Sequence, residues 1–198
     1  MKVDHKTVAA HRGAILEQAG RLFRRHGIGG VAVADITGAA GLTHGAFYGH
    51  FPSKTALAAE SCRHSLERAA VRWREYAAAA KRAGTDPIAA LIDDYLTPAK
   101  RDSRERSCAI ASLGHEASRD RDLRSAMAAG VDALTLVLQE LIAERHPDAE
   151  PATHAEAALA ALAVMSGGLN LARLLSANPE RSAAALRAAA ALAKRAAE

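Results

Sequence analysis

The sequence predicts an all-α protein: a three-helix head carrying a helix-turn-helix, joined to a larger helical-bundle body. Three observations lead there. No segment alternates apolar and polar residues long enough to form a half-buried strand. Alanine is abundant and β-branched residues are sparse, which favours helix over strand. Apolar residues recur at helical spacing between glycine and proline stops.

Taken in order, helix one is expected from near Thr7 to His26–Gly27. Ile15, Leu16, Ala19, Leu22 and Phe23 form its apolar stripe, and Gly27 ends it. Helix two is about 33–40, with Val33, Ile36 and Ala40 on one face, and Gly41 supplies the left-handed residue that stops it. Helix three is about 44–50. Thr43 is placed to cap it through its hydroxyl, and Phe47 and Phe51, four apart, turn inward together. That geometry turns His44, Gly45 and Tyr48 outward. Pro52 stops the helix, and Ser53 caps a long fourth helix from near Lys54 to about Lys81.

Gly84, Asp86 and Pro87 break the chain, with Asp86 as cap and Pro87 at the first helical position. A fifth helix, about 87–101, carries Ile88, Leu91, Ile92, Tyr95 and Leu96, and the charged stretch KRDSRERS follows as a loop. A sixth helix runs from near Cys108 to about Ala117, and a seventh covers roughly 120–145, before His146–Pro147. After the linker HPDAEPAT comes an eighth, about 153–175, with Leu159, Leu162, Met165, Leu169 and Leu171. Asn178–Pro179 restarts the chain into a last alanine-rich helix, making about nine in all. The expected division is a head over residues 1–53 and a body over 54–198, linked by the fourth helix.

Residues 31–54, VAVADITGAAGLTHGAFYGHFPSK, have the shape that places one helix in the major groove of DNA. From about Ile15 to Lys54 the chain resembles the TetR-type transcriptional regulators. The matches are densest at Phe23, Gly27, Val33, Asp35–Ile36, Ala39–Ala40–Gly41, Gly45, Tyr48, Phe51 and Lys54. The resemblance covers roughly the first quarter of the chain. It implies a homodimer whose last two helices form a four-helix interface with their copies, a palindromic double-stranded DNA operator, and a small-molecule effector that releases it. Repression is that family's usual sense. The resemblance assigns phosphate or groove contact to Thr43, Gly45, Tyr48 and Lys54.

The residues themselves support a DNA face. Free amides beside Thr43 can meet a phosphate. His44 and Ala46 are positioned for base edges, with Ala46 able to touch a thymine methyl. Tyr48 offers a hydroxyl and Lys54 an ammonium to the backbone. Gly45 and Gly49 each cost about 1 kcal/mol relative to alanine inside a helix, and their missing side chains let the backbone approach DNA. His50 completes the candidate set, although a structural role suits it better. Ala32, Ala34 and His44 depart from the family pattern by removing phosphate contacts, so a weak, salt-sensitive binder is expected.

The formal net charge is +4. Residues 1–54 hold seven Lys/Arg against three Asp/Glu, and the remainder holds nineteen of each, so the whole excess sits on the head. A phosphate backbone attracts such a region. Apolar residues are 49% and charged residues 24%, an ordinary globular profile. The longest apolar run, about Ala157–Met165, falls short of the roughly 20 residues that span a bilayer. The polar N-terminus has no signal-peptide core, so the expected location is cytoplasmic, with no membrane partner. Cys62 and Cys108 lie outside zinc-type spacing, and no HExxH, glycine-rich phosphate loop or nucleophile–base pairing is present. Neither enzymatic activity, a cofactor nor a metal is expected.

In the body, Ser166–Gly167–Gly168 with Ala157, Ala158, Ala160, Ala161 and Ala163 would let helices approach closely, as a dimer needs. Seven aromatic residues are present and four (Phe23, Phe47, Tyr48 and Phe51) belong to the head. The body therefore suits a small or aliphatic effector, with Trp73, Tyr76, Tyr95, Cys108, His115 and Asn170 as candidate contacts. Cys108 opens an apolar helix just after Arg104 and Arg106, a setting that favours a reactive thiolate. A thiol-based electrophile sensor is therefore an alternative, beside the plainer reading of an inert cysteine. A second alternative is a dimeric small-molecule-binding or scaffold protein that has lost DNA binding.

Overall fold

The computed structural model describes residues 5–198. Ten α-helices and one short 3-10 turn form among those residues. They are α1 (His5–His26), α2 (Val33–Ala39), α3 (His44–Tyr48), α4 (Lys54–Arg82), α5 (Pro87–Tyr95) and α6 (Pro98–Asp102), then the 3-10 turn (Arg104–Arg106), α7 (Ala109–Ala117), α8 (Arg121–Arg145), α9 (Pro151–Leu174) and α10 (Pro179–Ala196).

Local chemistry sets most of these bounds. The Ser53 hydroxyl accepts from the Ala56 amide at 3.0 Å, the Asp86 carboxylate from Ile88 at 2.9 Å, Asp120 from Leu123 at 2.8 Å and Asn178 from Arg181 at 3.0 Å. Each side chain satisfies an amide that has no partner within its own helix. Gly27, Gly41 and Gly84 follow α1, α2 and α4 at φ of 75°, 70° and 70°, where a Cβ would be strained.

Three expectations are corrected. The stretch expected as one helix over 87–101 is two, α5 and α6, which raises the count to ten. Pro98 has no amide to continue the ladder, and it holds Thr97 extended at φ −100°, ψ 155°. Thr97 then caps α6 through the Lys100 amide at 3.2 Å. The third helix ends at Tyr48 rather than about residue 50, with Gly49 as its C-cap. Thr43 does occupy the N-cap of α3, but its hydroxyl makes no capping bond.

The body is built around α4, which packs along α8 on one side and receives α1 on the other. The α8 and α9 helices adjoin, and α9 pairs with α10 over its length. Close approach is bought with glycine in two places: a Cβ on Gly130 of α8 would stand 2.3 Å from a methyl of Leu66 on α4, and one on Gly168 of α9 would stand 2.2 Å from the Ala189 Cβ on α10. Gly168, Ala158 and Ala161 thus pack within the chain, whereas Ala160, Ala163 and Gly167 face outward. The buried apolar residues form one continuous cluster from Ile15 to Ala197, so head and body share a core. By length and composition alone α8 and α9 could cross a membrane. Here each buries one face against neighbouring helices, as core helices do.

Candidate nucleic-acid interface and ligand cavity

The α2–turn–α3 unit is closed by its own backbone. The Ala40, Gly41 and Leu42 amides donate to Ile36, Gly38 and Thr37 carbonyls at 3.0, 3.0 and 2.8 Å. Beneath α3, Phe47 and Phe51 are buried with ring centroids 5.9 Å apart. The Arg12 guanidinium lies 4.8 Å over the Phe51 ring and also pairs with Glu60 of α4, which fixes the head on the body. At the N-cap of α2 only half of a capping box exists: Asp35 accepts from the Ala32 amide at 2.9 Å, while Ala32 has no side-chain oxygen to return the bond.

The outward face of α3 presents Thr43, His44, Gly45, Tyr48 and Gly49 exposed, with Ala46 and His50 half-buried. Tyr48 is 63% exposed, its ring set edge-on to Phe47 at 5.1 Å and to His44 at 5.7 Å. Those contacts orient the phenol and leave its hydroxyl free. A Cβ on Gly45 would meet nothing within 4 Å and its φ is not positive, so neither backbone nor internal packing calls for glycine there. Lys54 donates to the Val31 carbonyl at 3.0 Å, bracing the entry to α2 while keeping two donors in reserve.

Much of the head's positive charge is engaged within the protein itself. Arg12 turns to Glu60, Arg21 lies 3.7 Å from Glu105, and Arg24 donates to the Glu105 carbonyl at 3.0 and 2.6 Å and to the Ser65 hydroxyl at 3.0 Å. These three arginines lie on the body side of α1. Sequence position alone grouped them with the outward face of α3.

A cavity of about 290 Å³ lies between α1, α4, α5, the 3-10 turn and the start of α7, floored by Leu134 of α8 and Leu169 of α9. Trp73, Tyr76, Tyr95 and Cys108 line it. His115 and Asn170 do not reach it, being exposed on the outer surfaces of α7 and α9. Trp73 and Tyr95 meet edge-to-face at 6.1 Å. Burial pushes the Tyr95 phenol well above its usual range, with the neighbouring Cys108 thiol adding to the effect. Burial also lowers the Arg24 guanidinium and pushes the Cys62 thiol up to about 12. What the sequence did not mark as cavity residues are the cations: Arg21, Arg24, Arg68, Arg72, Lys100 and Arg106 all stand in its wall. They come from four separate segments, and only folding brings them together.

An all-α body beneath a compact helix-turn-helix head is thus the class of this protein. The family described as "Bacterial regulatory proteins, tetR family" matches residues 15–60. A curated relative, the HTH-type transcriptional repressor KstR2 of Mycobacterium tuberculosis, is 35% identical over 68 residues, which is 34% of each chain. The matched region therefore spans about a third of that relative's length. Among solved structures, a TetR transcriptional regulator from Chloroflexus aurantiacus aligns at a TM-score of 0.70 and 26% identity, covering 96% of this chain and 95% of that one. The reduced form of Escherichia coli NemR shares the fold at a TM-score of 0.74 and 23% identity, covering 93% and 96%. Residues 15–60 thus match the tetR family, and the chain as a whole shares the fold of a solved TetR transcriptional regulator.

Proposed function

We propose that this protein binds a palindromic DNA operator as a homodimer and leaves it when a small molecule occupies the body, acting as a repressor in the cytoplasm. The observation that carries the DNA reading is the outward face of α3. Tyr48 is exposed and oriented, and Gly45 is a costly helical glycine without an internal reason. Contact with an external backbone supplies the missing reason. His44, Ala46 and Tyr48 would reach bases and phosphates, Thr43 brings its unused hydroxyl, Gly49 and His50 border the contact, and Lys54 adds charge at its edge.

Pairing is supported by a stripe of outward apolar residues. Leu159, Leu171 and Leu174 on α9 and Leu192 on α10 are exposed, interleaved with Ala160, Ala163 and Gly167. A two-fold copy of these helices would bury it and set the heads one DNA turn apart. The cavity supports a ligand, with Trp73, Tyr76, Tyr95 and Cys108 as contacts, and its wall includes α1 itself. Occupancy would favour one arrangement of the heads over the other, and that difference in affinity supplies the switch.

The test is fluorescence anisotropy with the gene's own upstream DNA. Palindrome-specific, salt-dependent binding is expected. A scaffold protein without DNA binding would show none. A true effector must also bind more weakly when operator is present.

A second reading rests on Cys108, a half-buried cysteine in the cavity wall. An electrophile entering the cavity would alkylate its sulfur and hold the released state covalently. Intact mass and operator affinity measured together after N-ethylmaleimide test it: a Cys108→Ser variant that keeps the full response excludes it.

A further inference from the structure

We propose that the cavity is built for a small organic anion, a carboxylate with an apolar tail, and that Arg24 of the head reads its charge. The inference rests on the cavity being the effector site. Six cationic side chains line it against two carboxylates, Glu17 and Asp94. Three of the six are matched: Arg68 lies 3.7 Å from Glu17, Lys100 3.5 Å from Asp94, and Arg21 3.7 Å from Glu105. Arg24, Arg72 and Arg106 make no ion pair among the described residues. Arg24 is the deepest of these, half-buried with only a carbonyl and a hydroxyl as acceptors, and desolvation disfavours its charge. A carboxylate would offset that and match the planar guanidinium with two parallel hydrogen bonds.

Two further groups await a strong partner. The Ser107 hydroxyl, on a residue 8% exposed, lines the cavity and forms no hydrogen bond, and the Tyr95 hydroxyl, on a residue 6% exposed, has only the weakly accepting Cys108 thiol beside it. Buried polar groups are rarely left unsatisfied in a finished site, and here both can donate to an anionic head group. The remaining wall is apolar: Leu66, Trp73, Leu91, Leu134 and Leu169. A volume of about 290 Å³ matches a short tail, at the lower end of small-molecule sites, about 300–1,000 Å³.

The same geometry says how charge reaches the head. Arg24 ties α1 to the Glu105 carbonyl and the Ser65 hydroxyl. An anion at the Arg24 guanidinium competes for those donors and loosens α1 from α4 and the 3-10 turn. The ligand thereby acts on a helix of the head itself.

Trp73 is the chain's one tryptophan and lies in the cavity wall, so its fluorescence reports occupancy. The experiment titrates the full chain, free of DNA, with octanoate and with its neutral counterpart 1-octanol. Octanoate is expected to bind saturably and about tenfold or more tighter than octanol, with Arg24→Gln abolishing that difference and leaving octanol binding intact. Arg72→Gln, on an exposed residue, is expected to weaken octanoate selectively as well, which serves if Arg24→Gln fails to fold. Equal binding of the two probes, no saturable octanoate signal, or wild-type selectivity in the folded variants overturns the proposal. Operator affinity is measured separately. Charge-selective binding with no effect on operator leaves the anion site standing and removes the regulatory reading. Release of operator by a neutral ligand, with octanoate silent, does the reverse.

Discussion

The Glu116 carboxylate accepts a hydrogen bond from the Ile28 amide at 3.0 Å, joining the last turn of α7 to the turn that ends α1. That turn hinges on Gly27 at φ 75°, and a Cβ placed on Gly27 would stand 3.1 Å from the Glu116 carboxylate. The other end of α7 begins at Cys108, in the cavity wall. One helix therefore touches both the cavity and the base of the helix-turn-helix head. With Arg24, it gives the body two grips on α1.

Glu116→Ala is expected to cost about 1–3 kcal/mol, because a part-buried amide loses its partner. Urea denaturation measures it. The variant should also release operator less sharply when effector is added, since one of the two grips is gone. An unchanged denaturation midpoint would show that water replaces the carboxylate.

Gly45→Ala separates folding from binding. Its Cβ has open space and ordinary helical backbone, so the protein should gain about 1 kcal/mol of stability. Operator affinity should fall nonetheless, because the added methyl lies between α3 and the groove. A stabilised variant with parental affinity would mean that α3 approaches DNA by a different face.

Tyr48→Phe removes only an exposed hydroxyl. Operator affinity should drop about fivefold, the worth of roughly 1 kcal/mol from one hydrogen bond, with stability unchanged. Lys54→Ala should flatten the salt dependence of operator binding by about one unit of slope. It should also cost some stability through the lost bond to the Val31 carbonyl. Anisotropy at several salt concentrations distinguishes the two.

Leu174→Glu places a charge on a leucine that is 82% exposed in the single chain. Sedimentation should show monomers with unchanged helical content, and operator binding should weaken sharply as the paired heads are lost. A variant that remains dimeric would move the interface off the α9 end.

Cys62 carries a pH signature. Burial raises its thiol from 9.0 to about 12, so the folded state keeps the proton while the unfolded chain releases it. Its contribution is complete below about pH 9 and is lost as pH climbs toward about 12. Comparing the pH dependence of unfolding with that of Cys62→Ala should show a steeper alkaline fall in the parent. Iodoacetamide should label Cys108 in the native protein and Cys62 only after unfolding.

Much of the local architecture was legible in the order of residues. Gly27, Gly41 and Gly84 marked helix ends because only glycine takes positive φ without strain, and Ser53, Asp86 and Asn178 marked starts because their side chains reach an amide a few residues on. The spacing of Phe47 and Phe51 told which side of α3 faces inward, and with it which side carries Tyr48. Thr97–Pro98 held an equally local signal for the break between α5 and α6, which the apolar stripe masked.

Tertiary structure alone decided where charge points and what the cavity can hold. Arg12, Arg21 and Arg24 share the head with the outward face of α3, yet packing against α4 and the 3-10 turn turns them away from it. The cavity's cations and buried hydroxyls come from residues as far apart as Arg21 and Ser107. Helix periodicity and capping act over a few residues, so a sequence displays them directly. Burial, charge pairing and cavity shape depend on which distant helices meet, and only the folded chain shows that.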